Sequence, residues 1–266
     1  MTGWTKYGVP LVLLFGQVLG WSQKATVTGR VDLIRTELSH SDATHGDSIR
    51  SGPMNEKKGK AVNGTVDKSN VVVWLTPVDS PSEKNLLPAA SVSQHAQLLQ
   101  KDKSFNPHIL VVPVGTVVDF PNRDPFFHNV FSYFEGRRFD LGLYESGTTR
   151  ATRFDRPGVS YIFCNIHPEM SAVVVVMSTP YHAISDRAGQ VSIAGVAPGR
   201  YILHVWHERS LPEVLKSLSR EIVVSEETYS FGTLHIPETG NLYQTHKNKY
   251  GREYDSSEPI TPAYNH

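Results

Sequence analysis

The sequence predicts an all-β protein, and three observations carry that prediction. Apolar residues recur with period two in short runs, Gly and Pro break the runs at close intervals, and no stretch sustains a long 3.6-residue period. Of 266 residues, 39% are hydrophobic and 20% charged, which is enough for one large or two modest domains. Lys plus Arg number 26 and Asp plus Glu number 26, a balance that argues against a broad charged surface, local patches aside, and no nucleic-acid partner is expected.

The N-terminus reads as a processing segment. "MTGWTKYG" carries one cation, Lys6, and "VPLVLLFGQVLGW" follows as a short apolar run with Gly20 and Ser22 at cleavage-compatible positions. Residues 1–22 are therefore expected to be a signal peptide, with the mature chain starting near Gln23. The run is shorter than the roughly 18–20 residues that cross a bilayer, so no membrane span is expected after cleavage. A periplasmic or secreted location follows.

"KATVTGRVDLI" reads as a strand with a glycine break, and the polar stretch to about Asn70 as a long loop. "VVVWLTP", Val71 to Pro77, is a compact β run, so residues 23–79 contribute the first strands of one unit. Residues 91–179 read as an all-β sandwich. In it, "HAQLLQKDKSFNPHILVVPVGTVVDFPN" holds two or three strands punctuated by Pro113, Gly115 and Pro121. "GVSYIFC" alternates Val159, Tyr161 and Phe163 against Ser160, Ile162 and Cys164. "SAVVVVM" is apolar on both faces, as a strand covered on both sides would be. Residues 180–237 read as a different unit: a compact β-meander through the "DRAGQ" and "APGR" turns, then two strands in "REIVVSEETYSFGTLHIP". The polar tail, 238–266, has no core-forming pattern and is expected to lie over the surface or move freely.

The chemistry concentrates in "FCNIHPEM". The chain's single cysteine, Cys164, precedes His167 by three residues and Met170 by six. An internal disulfide is impossible, and in an exported chain a thiol needs burial, another chain or a metal. A trigonal set of two imidazoles and one thiolate, with a long axial thioether, suits copper. The second imidazole is expected upstream, and His128 in "NRDPFFHNVFS" supplies it. Core packing would account for Cys164 or Met170 singly, but not for all these donors at ligand spacing. His204 and His207 in "HVWHE" look like a zinc pair but point to opposite faces of a strand. His108 lacks partners at ligand spacing, and His40, His45, His246 and His266 sit in polar segments.

These residues, together with "FNPHILVVPVGTVVDFPNRD", resemble the cupredoxins, with a short ligand loop similar to that of amicyanin and close to those of plastocyanin and pseudoazurin. The resemblance implies a Greek-key β-sandwich with one type 1 (blue) copper. By the same resemblance His128, Cys164 and His167 are the equatorial ligands and Met170 the weak axial one. It also implies that Asn129 braces the cysteine loop, that Phe126, Phe127 and Phe163 form an apolar shell, and that His167 reaches solvent as the electron port. A solvent-facing His167 is expected to leave the reduced metal on taking a proton in mildly acidic solution. The segments "GRV", "VVVWLTP" and "DRAGQVSIAGVAPGRYILHVWH" resemble the transthyretin-like sandwich of carboxypeptidase regulatory-like domains, here split around the first resemblance. The combination is similar to exported bacterial proteins labelled methylamine-utilisation proteins.

The function expected is one-electron transfer to and from a redox partner protein of unknown identity, without catalysis. One cysteine excludes a two-cysteine binuclear copper centre, and the absence of any His-x-His excludes a multicopper oxidase pattern. The alternative is a copper-binding module whose β units bind a partner or glycan and serve a structural role.

Overall fold

Period-two alternation produces strands almost everywhere it occurs. The computed structural model describes residues 24–35, 67–79, 94–133, 136–225, 227–239 and 247–252. The expected signal peptide, the body of the polar loop, the linker before residue 94 and most of the tail lie outside the described residues. In chain order the elements begin with β1 (Ala25–Arg35), β2 (Val72–Pro77), β3 (His95–Gln97), β4 (Leu99–Lys101), β5 (Ser104–Asn106) and β6 (Ile109–Pro113). There follow β7 (Thr116–Pro121), β8 (His128–Ser132), β9 (Phe139–Tyr144), β10 (Thr149–Phe154), β11 (Gly158–Phe163) and β12 (Ser171–Met177). The chain continues through β13 (His182–Ile184), β14 (Gln190–Val196), β15 (Gly199–Trp206), helix α1 (Pro212–Ser217), β16 (Arg220–Val224) and β17 (Tyr229–Glu238).

The strands form two sandwiches. In one, the sheet β10-β7-β3 faces the five-stranded sheet β6-β12-β11-β8-β9, with the β4–β5 hairpin at the rim. Its core joins Leu98, Phe105, Val118, Phe120 and Phe154 to Val130, Tyr144, Ile162, Cys164, Met170, Ala172, Val174 and Val176. In the other, β14-β1-β17 faces β13-β2-β15-β16 around Val27, Val31, Val73, Leu75, Ile193, Leu203, Leu234 and Ile236.

A third apolar layer explains the valine run. β12 is a central strand, antiparallel to β11 and parallel to β6. Ala172, Val174 and Val176 point into the first core. Val173, Val175 and Met177 point the other way, into a cluster with Ile109, Phe131, Tyr161, Phe163 and Val72, packed by Trp74 and Trp206. The outer face of the five-stranded sheet is thus covered by the β2 and β15 side chains of the second sandwich. His108 Nε2 and Glu208 Oε2, 2.8 Å apart, close the edge of this junction.

The segment after residue 180 is not a meander. β14 pairs with β1, while β13 and β15 flank β2 on opposite sides, so the early strands separate the late ones. Leu75 N–H donates to Tyr181 O at 2.9 Å and Thr179 Oγ1 donates to Leu75 O at 2.8 Å, so the chain leaves and re-enters this sandwich at neighbouring points. Helix α1 was not expected. Pro212 near its start and Leu215 on its buried face hold one short turn that carries no readable period.

Candidate metal centre

Strand ends deliver the donors. His128 opens β8, whose five residues are all buried. Cys164 follows β11 directly and Met170 immediately precedes β12. The intervening loop is closed by Met170 N–H to His167 O at 3.1 Å and Cys164 N–H to Met170 O at 3.2 Å. Those two bonds fold Cys164 and Met170 back into the same core, where each is 0% exposed, and leave His167 half-buried at the rim.

Among the described residues, one group of three or more His, Cys, Asp or Glu side chains is placed to hold a metal: His128, Cys164 and His167, with donor atoms within 4.8 Å of one another. Cys164 Sγ lies 3.8 Å from His128 Nδ1 and 3.5 Å from His167 Nδ1. A metal at about 2.0 Å from each nitrogen and about 2.3 Å from sulfur sets neighbouring N and S roughly 3.5–3.7 Å apart at tetrahedral to trigonal angles. The two sulfur–nitrogen separations lie close to that range, so these residues could hold one ion. Met170 is buried beside Cys164 in the same cluster, and its sulfur does not enter this distance fit.

The surroundings prepare the donors. His128 Nε2 lies 2.7 Å from Asp124 Oδ2, with the two side chains 0% and 5% exposed. With its proton on Nε2, donated to the carboxylate, the ring turns the Nδ1 lone pair toward Cys164 Sγ. Asp124 also accepts from the backbone N–H groups of Asp102 (2.6 Å) and Lys103 (3.0 Å) at the tip of the β4–β5 hairpin. Burial pushes this carboxyl up, but the His128 and backbone donors outweigh it and hold it below the usual value. Burial also raises the Cys164 thiol, more than the N–H groups of Asn129, Ile166 and His167 lower it. Such a thiol ionises readily only when a cation takes the proton's place. Burial, then the neighbouring His128 and Lys103, depress His167 to about 4.

One resemblance-based expectation, the apolar shell, needs revision. Phe126 does line the site, its ring centroid 5.2 Å from that of His128 and 5.6 Å from that of His167. Phe163 faces away, packing 5.9 Å from Phe131 in the layer between the sandwiches, because alternation along β11 sends it opposite to Cys164. Phe127 is half-buried. The Asn129 side chain donates to Asp140 Oδ1 at 2.8 Å, and its backbone N–H meets the cysteine.

No protein-family model matches this chain, and no curated protein matches it. Solved structures similar to parts of it include cupredoxins and a copper-containing nitrite reductase. A purple cupredoxin from Nitrosopumilus maritimus is 24% identical, covering 32% of this chain and 100% of its own, with a TM-score of 0.29. A reduced amicyanin variant is 23% identical over 42% of this chain and 100% of its own, with a TM-score of 0.30. A copper-containing nitrite reductase from Thermus scotoductus SA-01 is 27% identical over 38% of this chain and 25% of its own, with a TM-score of 0.29.

Among the described residues, the other histidines stand apart from this group. His204 stacks on Trp74 at 5.0 Å and shares a 2.7 Å hydrogen bond with Thr76 Oγ1, while buried His207 meets Glu238 at 3.0 Å. Sequence reasoning missed Asp124 and Lys249. The first sits four residues before His128, a spacing that tertiary bonds alone make meaningful. The second lies in "NKYGR", whose Asn and Gly mark a turn but not what it touches. Among the described residues, no helix is long and apolar enough to cross a membrane.

Proposed function

We propose that the chain is an exported copper protein that carries single electrons. His128, Cys164 and His167 would hold the ion in a plane, with the Met170 thioether as a weak fourth ligand. The observation that supports this most is the convergence of two Nδ1 atoms on one buried sulfur at 3.5 and 3.8 Å, with the His128 tautomer set by Asp124. Copper in such a set supplies one-electron exchange between its two oxidation states.

The chain's own residues account for the rest of the reading. The core around Cys164 and Met170 keeps water from the sulfur side, and the closed loop fixes the donors before any ion arrives. His167 is the donor nearest solvent, beside exposed Ile166, Pro168 and Glu169, and is the proposed point of electron entry and exit. Residues 91–179 are proposed as one domain inserted between the early and late strands of the other. Packing of Val72, Trp74 and Trp206 against the five-stranded sheet would make the two a single body. Export, and cleavage after residue 22, belong to the same proposal.

Voltammetry of the copper-loaded full chain, with rapid mixing against a soluble reductant, tests the reading. A reversible one-electron wave and rapid reduction are expected. Copper bound without reversible exchange would reduce the chain to a copper-binding module.

A further inference from the structure

The turn at residues 247–252 touches the loop that carries Cys164 and His167 and, through Asp140 on β9, reaches the strand that opens with His128. Asn248 shapes it: its Oδ1 accepts Tyr250 N–H at 2.9 Å and Arg252 N–H at 3.1 Å. Gly251, at φ 74°, turns the chain back, and its N–H donates to Asn248 O at 2.9 Å. This self-capped turn presents Lys249 in two directions. Its backbone N–H donates to Asn165 Oδ1 at 2.9 Å, and Asn165 directly follows Cys164. Its ammonium donates to Asp140 Oδ2 at 3.0 Å. The other oxygen of that carboxylate accepts from Asn129 Nδ2 at 2.8 Å and Gly142 N–H at 2.9 Å, and Asn129 directly follows His128.

We propose that Lys249 is a positioning residue that ties the Cys164–Met170 loop to the strand bearing His128. The bridge runs from Asn165 through Lys249 and Asp140 to Asn129, joining segments 84 and 109 residues away from Lys249 in sequence. The Lys249 and Asp140 side chains are only 20% and 26% exposed, so the pair is partly shielded from water. Without it, Asn165 keeps its Lys249 N–H partner on a turn that has lost its ion pair to Asp140, and the loop covering Cys164 opens more often. Loss of one such pair corresponds to about a fivefold rise in opening, or about 1 kcal/mol.

Two rates read that opening. In the metal-free full chain, modification of Cys164 by an aromatic disulfide under native conditions should be about fivefold faster in Lys249→Ala. It should return close to wild type in Lys249→Arg, which keeps the charge pair. Ile236→Ala, which weakens the other sandwich's core, should leave the rate unchanged, since local opening does not pass through that core. In the copper-loaded chain, transfer of copper to a competing chelator should accelerate in the same order; this arm alone rests on the copper reading. An unchanged thiol rate in Lys249→Ala, or equal acceleration in Ile236→Ala, overturns the proposal. If the wild type holds no copper while the thiol rate responds, the copper reading fails and the tether stands. If copper is held and neither rate responds, the tether fails alone.

Discussion

Removing the Asp124 carboxylate should damage the protein in two separable ways. Asp124 is 3% exposed and accepts three hydrogen bonds, from His128 at 2.7 Å and from the Asp102 and Lys103 N–H groups at 2.6 and 3.0 Å. The His128 bond is buried and runs from a neutral imidazole N–H to a carboxylate, and such a bond contributes about 1.5–3 kcal/mol. The two N–H groups sit at a hairpin tip that water reaches, so each adds only about 0.5–1 kcal/mol. Asp124→Ala should therefore lower the stability of the metal-free protein by about 2.5–5 kcal/mol overall, and Asp124→Asn, which keeps one acceptor oxygen, by less than half of that. Urea unfolding measures this difference. Copper affinity should fall about 10–100-fold, because the His128 ring is no longer held with Nδ1 facing Cys164. Amide exchange at Asp102 and Lys103 should quicken in both variants. The sign with pH is fixed as well: the folded carboxyl titrates below the usual 3.8, so its stabilisation is complete above that value and fades as pH falls through the folded pKa. If Asp124→Ala keeps wild-type stability and wild-type copper affinity, the link from hairpin to ligand carries no weight.

Further outcomes follow from the same geometry. His167 titrates near 4 when folded against an ordinary 6.5, so the unfolded chain takes the proton first and the metal-free protein should lose stability between about pH 6.5 and 4. Allowing for solvent around a half-buried ring, the loss should be about 1–2 kcal/mol, and a stability flat across that window contradicts the shift. Copper competes with the proton for the same nitrogen, so the reduction potential should stay level down to about pH 4 and only then climb toward about 59 mV per pH unit. A slope already present at pH 6 would show a looser His167. Met170→Leu conserves volume and should cost less than about 1.5 kcal/mol while shifting the potential; an unshifted potential removes the axial role. Replacing residues 79–179 with a short Gly-Ser linker should leave a folded β unit that self-associates through uncovered Val72, Trp74 and Trp206. A chain starting at Pro180 should not fold, because β13 and β15 lose β2 and β14 loses β1; a folded product there refutes the pairing.

What was legible in the sequence follows the range of the interactions involved. The alternation of "GVSYIFC" placed Ile162 and Cys164 on one face and Tyr161 and Phe163 on the other, because a strand's side chains obey a strictly local rule. The two-sided burial of "SAVVVVM" was readable for the same reason, although what covers its second face was not. Spacing also exposed His128, Cys164 and His167, since a shared chemistry needs their residue types near one another. Asp124 and Lys249 escaped because their meaning comes from partners across the fold. An Asp four residues before a His, or a Lys in a polar tail, is ordinary until the hairpin and the ligand loop are seen against them. The supposed meander failed on the same ground. β13, β14 and β15 have turns between them, but nothing local shows that β1 and β2 take the places beside them.

The visible spectrum of the purified full chain with one equivalent of Cu(II), recorded beside Cys164→Ser, tests the central claim most directly. A thiolate bound in a plane with two imidazoles should give intense charge-transfer absorption that saturates at one copper per chain and vanishes in Cys164→Ser. A colourless Cu(II) complex of the intact protein, or colour that survives in Cys164→Ser, would contradict it.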